Sequence, residues 1–301
     1  MTSRRSERGQ AMVLTLVFLT VLLAMSAAVI DVGAWYRAHR AVQATADASA
    51  LAAVTSLPED TSEASTLALD YAGRNGAGVT SGDVVFSTTL VQNDTVQVTA
   101  RRTVQGLFAS LFGIGSVTAR AHAKAQSSVL GQAKYAAPIG VDIKHPLLQC
   151  EPLPCFDQQT QLDLEKTGPG AFRLINIDGS KGGTSPDVLA DWLLNGYDGY
   201  MPLDWYFSDP GAKFDSSHIQ SALTARIGSE LLFPVYDDTR KQGSNFQYEV
   251  VGWVGFHLTG FDARGNGGKL DGYFTNIVWE GIQGERVTDD DFGARSVALV
   301  E

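Results

Sequence analysis

The stretch from Gly9 to Ile30 constrains this chain more than any other, because it carries no charged residue. A helix of about 20 apolar residues crosses a bilayer, so this stretch is long enough to span one. Arginines at positions 4, 5 and 8 precede it, and positive charge favours the cytoplasmic side. The pattern predicts a single-pass anchor in the cell (inner) membrane, with a cytoplasmic N-terminus and the bulk of the chain extracytoplasmic.

A cleaved signal peptide is the alternative to an anchor. Small residues in Ala24-Met25-Ser26 follow an apolar core, as signal peptidase requires. Arg37 and Arg40, on the far side of the span, also weaken the charge asymmetry. Against cleavage, apolar residues continue through Ile30, and no polar segment precedes the potential cleavage site. We therefore expect the segment to stay attached.

Composition argues for a folded body with an acidic surface. Hydrophobic residues make up 44% of the 301 residues and charged residues 19%, which is typical of globular domains. The formal net charge is −10. Such a surface repels phosphate backbones, so we expect no nucleic-acid partner.

The two cysteines, Cys150 and Cys155, are close neighbours separated by a segment with two prolines. Outside the cytoplasm, this arrangement favours a local disulfide. A metal site is the weaker alternative, because His145 is the only histidine nearby and the spacing differs from C-x-x-C.

The residues around the apolar stretch resemble the TadE/TadG-like family of Flp pilus-assembly proteins. An Arg-Gly pair precedes the span, an Asp-x-Gly with aromatic residues follows it, and a Gln then precedes an Ala-Asp-Ala-rich run. The matching residues are Arg8, Gly9, Asp31, Gly33, Gln43, Ala46, Asp47, Ala48, Ala50 and Leu51. The resemblance implies a bitopic envelope protein that serves a tight-adherence pilus, with pilus-assembly proteins or pilins as partners. Some family members are processed like prepilins, but Leu14 occupies the glutamate position that processing requires, which also favours an uncleaved anchor.

The predicted fold is α+β in three parts. Residues 1–33 form the cytoplasmic tail and transmembrane helix, residues 34–130 a stalk helix with a small α+β pilin-like module, and residues 131–301 a β-rich α+β extracytoplasmic domain. Strong helix formers without glycine or proline extend from Ala34 to Val54, so we expect the membrane helix to continue into the stalk. The stalk alanines could contact another helix or pack on their own domain, and both interpretations stay open.

Local patterns predict the remaining elements. Helices are expected at 63–74, 106–113, 186–195 and 216–228, and strands at 84–90, 95–100, 116–126, 173–177, 249–258 and 272–279. Glycines at 265, 267 and 268 predict a hairpin loop between the last two strands. Asp262, Asn266 and Asp271 nearby resemble calcium ligands, but Arg264 stands where an oxygen ligand is needed. Asp289 to Asp291 is expected to be a solvated acidic run.

No pattern for catalysis or metal binding is convincing. The five histidines show no His-Glu-x-x-His spacing, and neither a Gly-x-Ser-x-Gly elbow nor a Walker loop occurs. Asp178-Gly179-Ser180 begins like the Asp-x-Ser-x-Ser metal motif of von Willebrand A domains, but Gly182 replaces the second serine. We therefore expect a plain turn there. The prediction is a non-enzymatic pilus-assembly or accessory component without cofactor, metal or small-molecule substrate. A secreted or tethered envelope hydrolase and an adhesive surface domain are the alternatives.

Overall fold

The computed structural model describes residues 6–150, 154–164, 173–211, 213–264, 267–284 and 291–300. It confirms the predicted α+β class, with a long N-terminal helix followed by a sheet-rich body. Its contacts divide the chain into two compact units. The first comprises residues 1–126 and 298–301, and the second residues 127–297. The predicted three-part division, with a membrane boundary at residue 33, stays a prediction.

Two helices form the helical layer of the first unit. Helix α1 (Ser6–Val54) is continuous, so the predicted span and stalk are one helix. Helix α2 (Thr61–Asn75) begins where the Asp60 carboxylate accepts the N–H groups of Ser62 and Glu63, both at 2.8 Å. It ends at Gly76, whose φ of 70° suits glycine at a helix C-cap.

Three strands complete the first unit: β1 (Val84–Ser87), β2 (Thr95–Gln105) and β3 (Ser116–Ala133). Strands β2 and β3 pair antiparallel from Thr95 opposite Gln126 to Gln105 opposite Ser116. The division between the units falls within β3, after Gln126. The chain returns to the first unit near its end, where the Val300 N–H donates to the Lys124 carbonyl at 2.8 Å.

The hairpin between β1 and β2 differs from its prediction. Strand β1 ends at Ser87 instead of Leu90, because the buried Asp94 carboxylate accepts hydrogen bonds from backbone N–H groups that follow Ser87. It accepts the N–H groups of Thr89 at 2.8 Å, Leu90 at 2.6 Å and Val91 at 3.1 Å. These amides are therefore unavailable to a β-ladder.

The second unit is built on a sheet of order β4-β8-β9-β10-β5, with β7 paired to β9. Its elements are β4 (Val141–Asp142), β5 (Gln159–Asp163), α3 (Pro186–Asn195), β6 (Met201–Pro202), β7 (Trp205–Phe207), α4 (Ser217–Arg226), β8 (Glu230–Arg240), β9 (Gln247–Arg264), β10 (Gly267–Thr275), β11 (Ile277–Val278), β12 (Gly281–Gln283) and β13 (Ala294–Leu299). Strand β13 begins in the second unit and ends in the first. The core is rich in aromatic rings, and Tyr248, Phe214, Phe233, Phe256 and Phe274 are fully buried.

Three local predictions in the second unit were wrong or only partly testable. Residues 173–177 form no strand, because Leu174 and Ile175 make only isolated bridges to Ile139 and Ser208. The glycine hairpin is supported by the pairing of Arg264 with Gly267, although residues 265 and 266 lie outside the described ranges. The predicted acidic run at 289–291 also lies outside them, except for Asp291.

Candidate functional site at the N-terminal helix

The ten residues that carry the family resemblance, from Arg8 to Leu51, form a signature. Its first aspartate, Asp31, binds a distant loop to α1. Asp31 is buried, and its carboxylate accepts three consecutive backbone N–H groups, from Leu107 at 2.9 Å, Phe108 at 2.9 Å and Ala109 at 2.5 Å. These residues begin the β2–β3 connection and lead into a 3-10 helix, Ala109–Phe112. A carboxylate at the first amides of a helical turn satisfies donors that the turn itself cannot satisfy. The predicted helix over residues 106–113 is therefore this shorter 3-10 turn.

The signature glutamine makes a second attachment farther along the same helix. The Gln43 side-chain amide donates to the Asp47 carboxylate at 2.7 Å and to the His122 carbonyl of β3 at 3.3 Å. Gln43 and Asp47 are one turn apart and face the same neighbour. Gln43 thus contacts strand β3 directly, and Asp47 accepts a hydrogen bond from the same Gln43 amide.

The two attachments define how the hairpin runs along α1. From Gln43 to Asp31 the helix advances by about 18 Å, at 1.5 Å per residue. From His122 to Ser116 strand β3 covers about 20 Å, at roughly 3.3 Å per residue. These lengths agree, so the β2–β3 hairpin follows α1 toward its N-terminal end, and the hairpin connection lies level with Asp31.

The alanine-rich part of the signature is mostly core. One face of α1 is buried against α2 and β2, through Ala38, Val42, Thr45, Ala46, Ser49, Ala50, Ala53 and Val54. On α2 the matching residues are Ala64, Ala68 and Ala72. Small side chains let the two helices approach closely. The sequence left open whether the stalk alanines contact another helix or pack on their own domain. The alanines of this face pack on their own domain.

A second stripe of the stalk helix remains uncovered in the first unit. Ala41, Ala44, Leu51 and Thr55 are exposed and Ala48 is half-buried, and their spacing places them on one helical face. This stripe lies opposite the buried face. The signature residues are therefore divided, with Ala46 and Ala50 in the core and Ala48 and Leu51 facing outward.

The glycines of the signature have no comparable explanation in this unit. A Cβ added at Gly33 would meet only the Arg37 guanidinium, at 3.9 Å. This is an ordinary contact, so packing within the described part of the unit does not require glycine at position 33. Arg8 and Gly9 belong to the first turns of α1.

Helix α1 meets the requirements for a membrane span. From Gln10 to Val54 it is long and apolar enough to cross a bilayer by length and composition, and its most apolar window has no residue buried inside the protein. A core helix of a soluble protein would be mostly buried, whereas a signal sequence would pass the same test.

The disulfide lies in the second unit. The structure joins Cys150 to Cys155, whose Cα atoms are 5.6 Å apart. The neighbouring His145 is half-buried and packs edge-on against Phe274, with ring centroids 5.0 Å apart. Burial, with the nearby Arg173 guanidinium, holds the pKa of His145 below its usual value of 6.5.

The suspected metal motif is a structural turn. The Asp178 carboxylate accepts the Ser180 N–H at 2.9 Å, and Gly179 has a φ of 76°. Within the described ranges, no group of three or more His, Cys, Asp or Glu side chains is arranged to hold a metal ion. Asn176, buried beside this turn, donates instead to the Ser180 and Gly182 carbonyls. These hydrogen bonds close the loop on itself.

Three charged pairs of the second unit contain residue types that also occur in catalytic sites. They are Asp209–Lys213, His218–Asp187 and Glu230–His257. Asp209 is buried and pairs with Lys213, whose ammonium also donates to the Thr184 carbonyl at 2.5 Å. His218 contacts Asp187 at 3.1 Å, but both side chains are mostly exposed. Among the described residues, no hydroxyl or thiol hydrogen-bonds to this imidazole, so the pair lacks the nucleophile of a hydrolytic triad.

The third pair joins two strands. The imidazole of His257 on β9 lies 3.0 Å from the Glu230 carboxylate on β8 and stacks on the Tyr273 ring of β10 at 4.8 Å. The hydrogen bond from His257 holds the pKa of Glu230 below its usual range. The arrangement is that of a cross-strand cluster, in which side chains on one sheet face stabilise the sheet.

The sequence analysis singled out Asp31, Gln43 and Asp47 as motif residues, but it did not predict the loop that Asp31 binds or the strand that Gln43 contacts. The missed residues are Leu107, Phe108 and Ala109, together with His122. Only their main-chain atoms take part, so no side-chain motif marks them. The available signal is the uncharged, glycine-bounded segment from Gly106 to Gly115.

Comparison with known proteins finds a match in the part of the chain that contains the signature apart from Arg8. No curated protein matches the chain, and no solved structure matches it. One family model, described as "Putative Flp pilus-assembly TadE/G-like", matches residues 9–56, which contain the uncharged stretch, Asp31 and the Gln43–Asp47 pair. The N-terminal helix of this chain, with the first residues beyond it, is therefore similar to the TadE/G-like pilus-assembly family.

Proposed function

We propose that this protein is a non-enzymatic, single-pass membrane component of Flp-type pilus assembly or an accessory protein of such a pilus. The observation that carries the proposal is the match of residues 9–56 to the TadE/G-like family, because the matched residues are those that build the helix and attach the first unit to it. In this proposal the helix stays attached, and its N-terminus lies in the cytoplasm.

Two observations support an extracytoplasmic body. Arginines precede the uncharged stretch, in line with the positive-inside rule. The Cys150–Cys155 disulfide belongs to the part of the chain placed outside, and disulfides persist in oxidising compartments.

Partners would contact the exposed stripe of α1, which consists of Ala41, Ala44, Ala48, Leu51 and Thr55. The buried alanine face is occupied by α2 and β2, so it is not available to another protein. The exposed stripe continues the helix directly beyond the membrane segment. A helix of a pilin or of another assembly protein could pack against its small side chains.

In-cell photocrosslinking tests the proposal. A photoreactive amino acid replaces Ala44 on the exposed stripe or, as the matched control, Tyr71 on the exposed side of α2. We expect Ala44 to crosslink to a pilin or a pilus-assembly protein, and Tyr71 to give a much weaker product. Deletion of the gene should reduce piliation, and the wild-type chain should restore it. Normal piliation after deletion, with no pilus protein crosslinked at Ala44, would sink the proposal.

A non-enzymatic role is part of the same proposal. The buried Asp209–Lys213 pair and the exposed His218–Asp187 pair are the groups that a hydrolase hypothesis would have to use. Replacing Asp209 or His218 by alanine in a chain that still folds should leave piliation unchanged. Loss of pilus function or of envelope turnover in a folded His218→Ala protein would favour the hydrolase alternative.

A further inference from the structure

The β2–β3 connection has an exposed apolar tip. Leu107, Leu111, Phe112 and Ile114 expose 69%, 81%, 78% and 48% of their surfaces, and no charged residue lies between Gly106 and Ser116. Four large apolar side chains exposed on one short turn are costly in water, because burying them would be favourable. Such a patch usually marks an interaction site.

The position of this tip identifies what covers it. The Asp31 carboxylate binds the amides of Leu107 to Ala109, so the tip is held at the helix position where the uncharged stretch ends. If residues 9–30 span the bilayer, Asp31 lies at its outer surface, and the tip lies there as well. The β2–β3 hairpin runs along α1 with its connection nearest the membrane end of the helix, and its strands extend away from that end.

The surrounding charges fit the same surface. The chain as a whole has a net charge of −10, but residues 31–40 and 101–120 carry five arginines and one acidic residue, Asp31. The arginines are Arg37, Arg40, Arg101, Arg102 and Arg120, all of them exposed. Arg101 is paired with the Asp83 carboxylate, which leaves four arginines for the surface. Lipid phosphate groups attract arginine, and apolar residues below them enter the acyl region. Aromatic Trp35 and Tyr36, at the same height on α1, suit the interface between water and lipid.

A groove lies between α1 and the strands of the β2–β3 hairpin. It has a volume of about 540 Å³ and is lined on the helix side by Val32, Trp35 and Tyr36, and on the hairpin side by Val104 and Val117. His39, Thr118 and Arg120 also line it, but most of its surface is apolar. Its size and polarity suit part of a lipid acyl chain rather than a polar ligand.

We propose that the β2–β3 tip inserts into the outer leaflet beside α1, as a second membrane contact that Asp31 holds in place. The inference rests on the proposed membrane anchor. Leu111 and Phe112 enter the acyl region at a depth of about 5–10 Å, as amphipathic interfacial segments do. The arginines of α1 and the hairpin lie at the lipid phosphates. The first unit is thereby held against the membrane surface instead of moving freely on its stalk.

Fluorescence quenching in vesicles tests the inference on the full-length chain. Phe112→Cys is labelled with an environment-sensitive fluorophore without reductant, so that the Cys150–Cys155 disulfide stays closed. The protein is reconstituted into phosphatidylcholine–phosphatidylglycerol vesicles that contain a lipid with a nitroxide near the headgroup. Two further labelled variants serve as references: Leu16→Cys within the span and Val85→Cys on the exposed side of β1. We expect quenching and a blue-shifted emission at positions 112 and 16, and neither at position 85.

The outcomes separate the inference from the anchor. Quenching at position 16 but not at position 112 overturns the inserted tip and leaves the anchor standing; a protein partner would then be the covering group. Absence of quenching at both positions overturns the anchor and the inference together. In an Asp31→Asn background we expect quenching to fall at position 112 and to stay unchanged at position 16. Unchanged quenching at position 112 would overturn the positioning role of Asp31.

Discussion

The Asp31 carboxylate and the Ala109 amide are 78 residues apart in the sequence and 2.5 Å apart in space. Together with the Leu107 and Phe108 amides, they join the C-terminal end of the apolar helix segment to the end of a β-hairpin. An acidic residue at this position in a largely apolar helix would otherwise be costly close to lipid. The three hydrogen bonds offset this cost.

Replacing Asp31 by asparagine should loosen this loop. The side-chain amide keeps one acceptor oxygen but loses the charge, and charged hydrogen bonds are about twice as strong as neutral ones. We expect hydrogen exchange at Leu107, Phe108 and Ala109 to become roughly tenfold faster or more. Asp47→Asn is the control, since Asp47 binds Gln43 and not the loop. Equal exchange rates in wild type and Asp31→Asn would contradict the assignment.

Two alanine substitutions on α1 should have opposite consequences. Ala46→Leu inserts three carbons into the closed interface with α2 and β2, and overpacking costs about 1–3 kcal/mol of unfolding free energy. Ala44→Leu, two residues earlier on the exposed stripe, should change stability by less than about 0.5 kcal/mol. Thermal unfolding of the solubilised chain measures both. Ala44→Leu should instead weaken the crosslink to pilus proteins from a photoreactive residue at Ala41 on the same stripe. Equal destabilisation by both substitutions would refute the division into two faces.

Acid should weaken the first unit in part through Asp94. Burial alone raises the pKa of this carboxyl, but the N–H groups of Leu90, Thr89 and Val91 and the Thr95 hydroxyl bring it below its usual value of 3.8. The folded state thus favours the charged form. The stabilisation is complete above about pH 3.8 and is lost as the pH falls through the lower pKa of the folded state.

Asp94→Asn tests this pH dependence. At pH 7 we expect a loss of about 1–3 kcal/mol of unfolding free energy, because several buried amides lose a charged acceptor. The difference between variant and wild type should shrink as the pH falls below 3.8. The exposed Asp70→Asn is a suitable control. A difference that stays constant down to pH 2 would show that the charge of Asp94 contributes nothing.

Replacing one partner of the buried Asp209–Lys213 pair should lower the free energy of unfolding more than replacing both partners. Lys213→Met leaves the fully buried Asp209 carboxylate without its cation, at a cost of about 3–5 kcal/mol. The double variant Asp209→Leu, Lys213→Met should lose less. Arg74→Ala, which removes the exposed pair with Asp70, should cost under about 1 kcal/mol. Chemical unfolding of the four proteins would show this order, and a double variant less stable than Lys213→Met would reverse the interpretation.

The sequence predicted the elements whose ends carry local signals. Asp60 and Gly76 enclose α2, and Pro186 at the first turn with Gly196 after the last residue encloses α3, which was predicted to the residue. These signals are side chains that act within a few residues of themselves. The continuous α1 was predictable for the same reason, since glycine and proline are absent over the stalk.

Strand β8 was missed because tertiary contacts override its local signal. Pro234 lies in the middle of it, opposite Trp253 of β9, although proline is unfavourable within a paired strand. The burial of Leu232, Phe233 and Val235 in the core compensates for the missing N–H. The attachment of Asp31 was unpredictable for a related reason: its partners are main-chain amides that come within reach only after β2 and β3 have paired.

The return of residues 298–301 to the first unit makes that unit discontinuous in sequence. The Lys124 carbonyl, synthesised early, receives its donor from Val300 only after residues 127–297 have been translated. At about 5–20 residues per second, this interval lasts roughly ten to thirty seconds. We therefore expect the first unit to remain incomplete on the ribosome until the second unit has emerged. Pulse-labelled chains arrested near residue 130 should be more sensitive to protease in the first unit than full-length chains. Residues 6–126 are thus translated before the second unit, yet the unit to which they belong is completed after it.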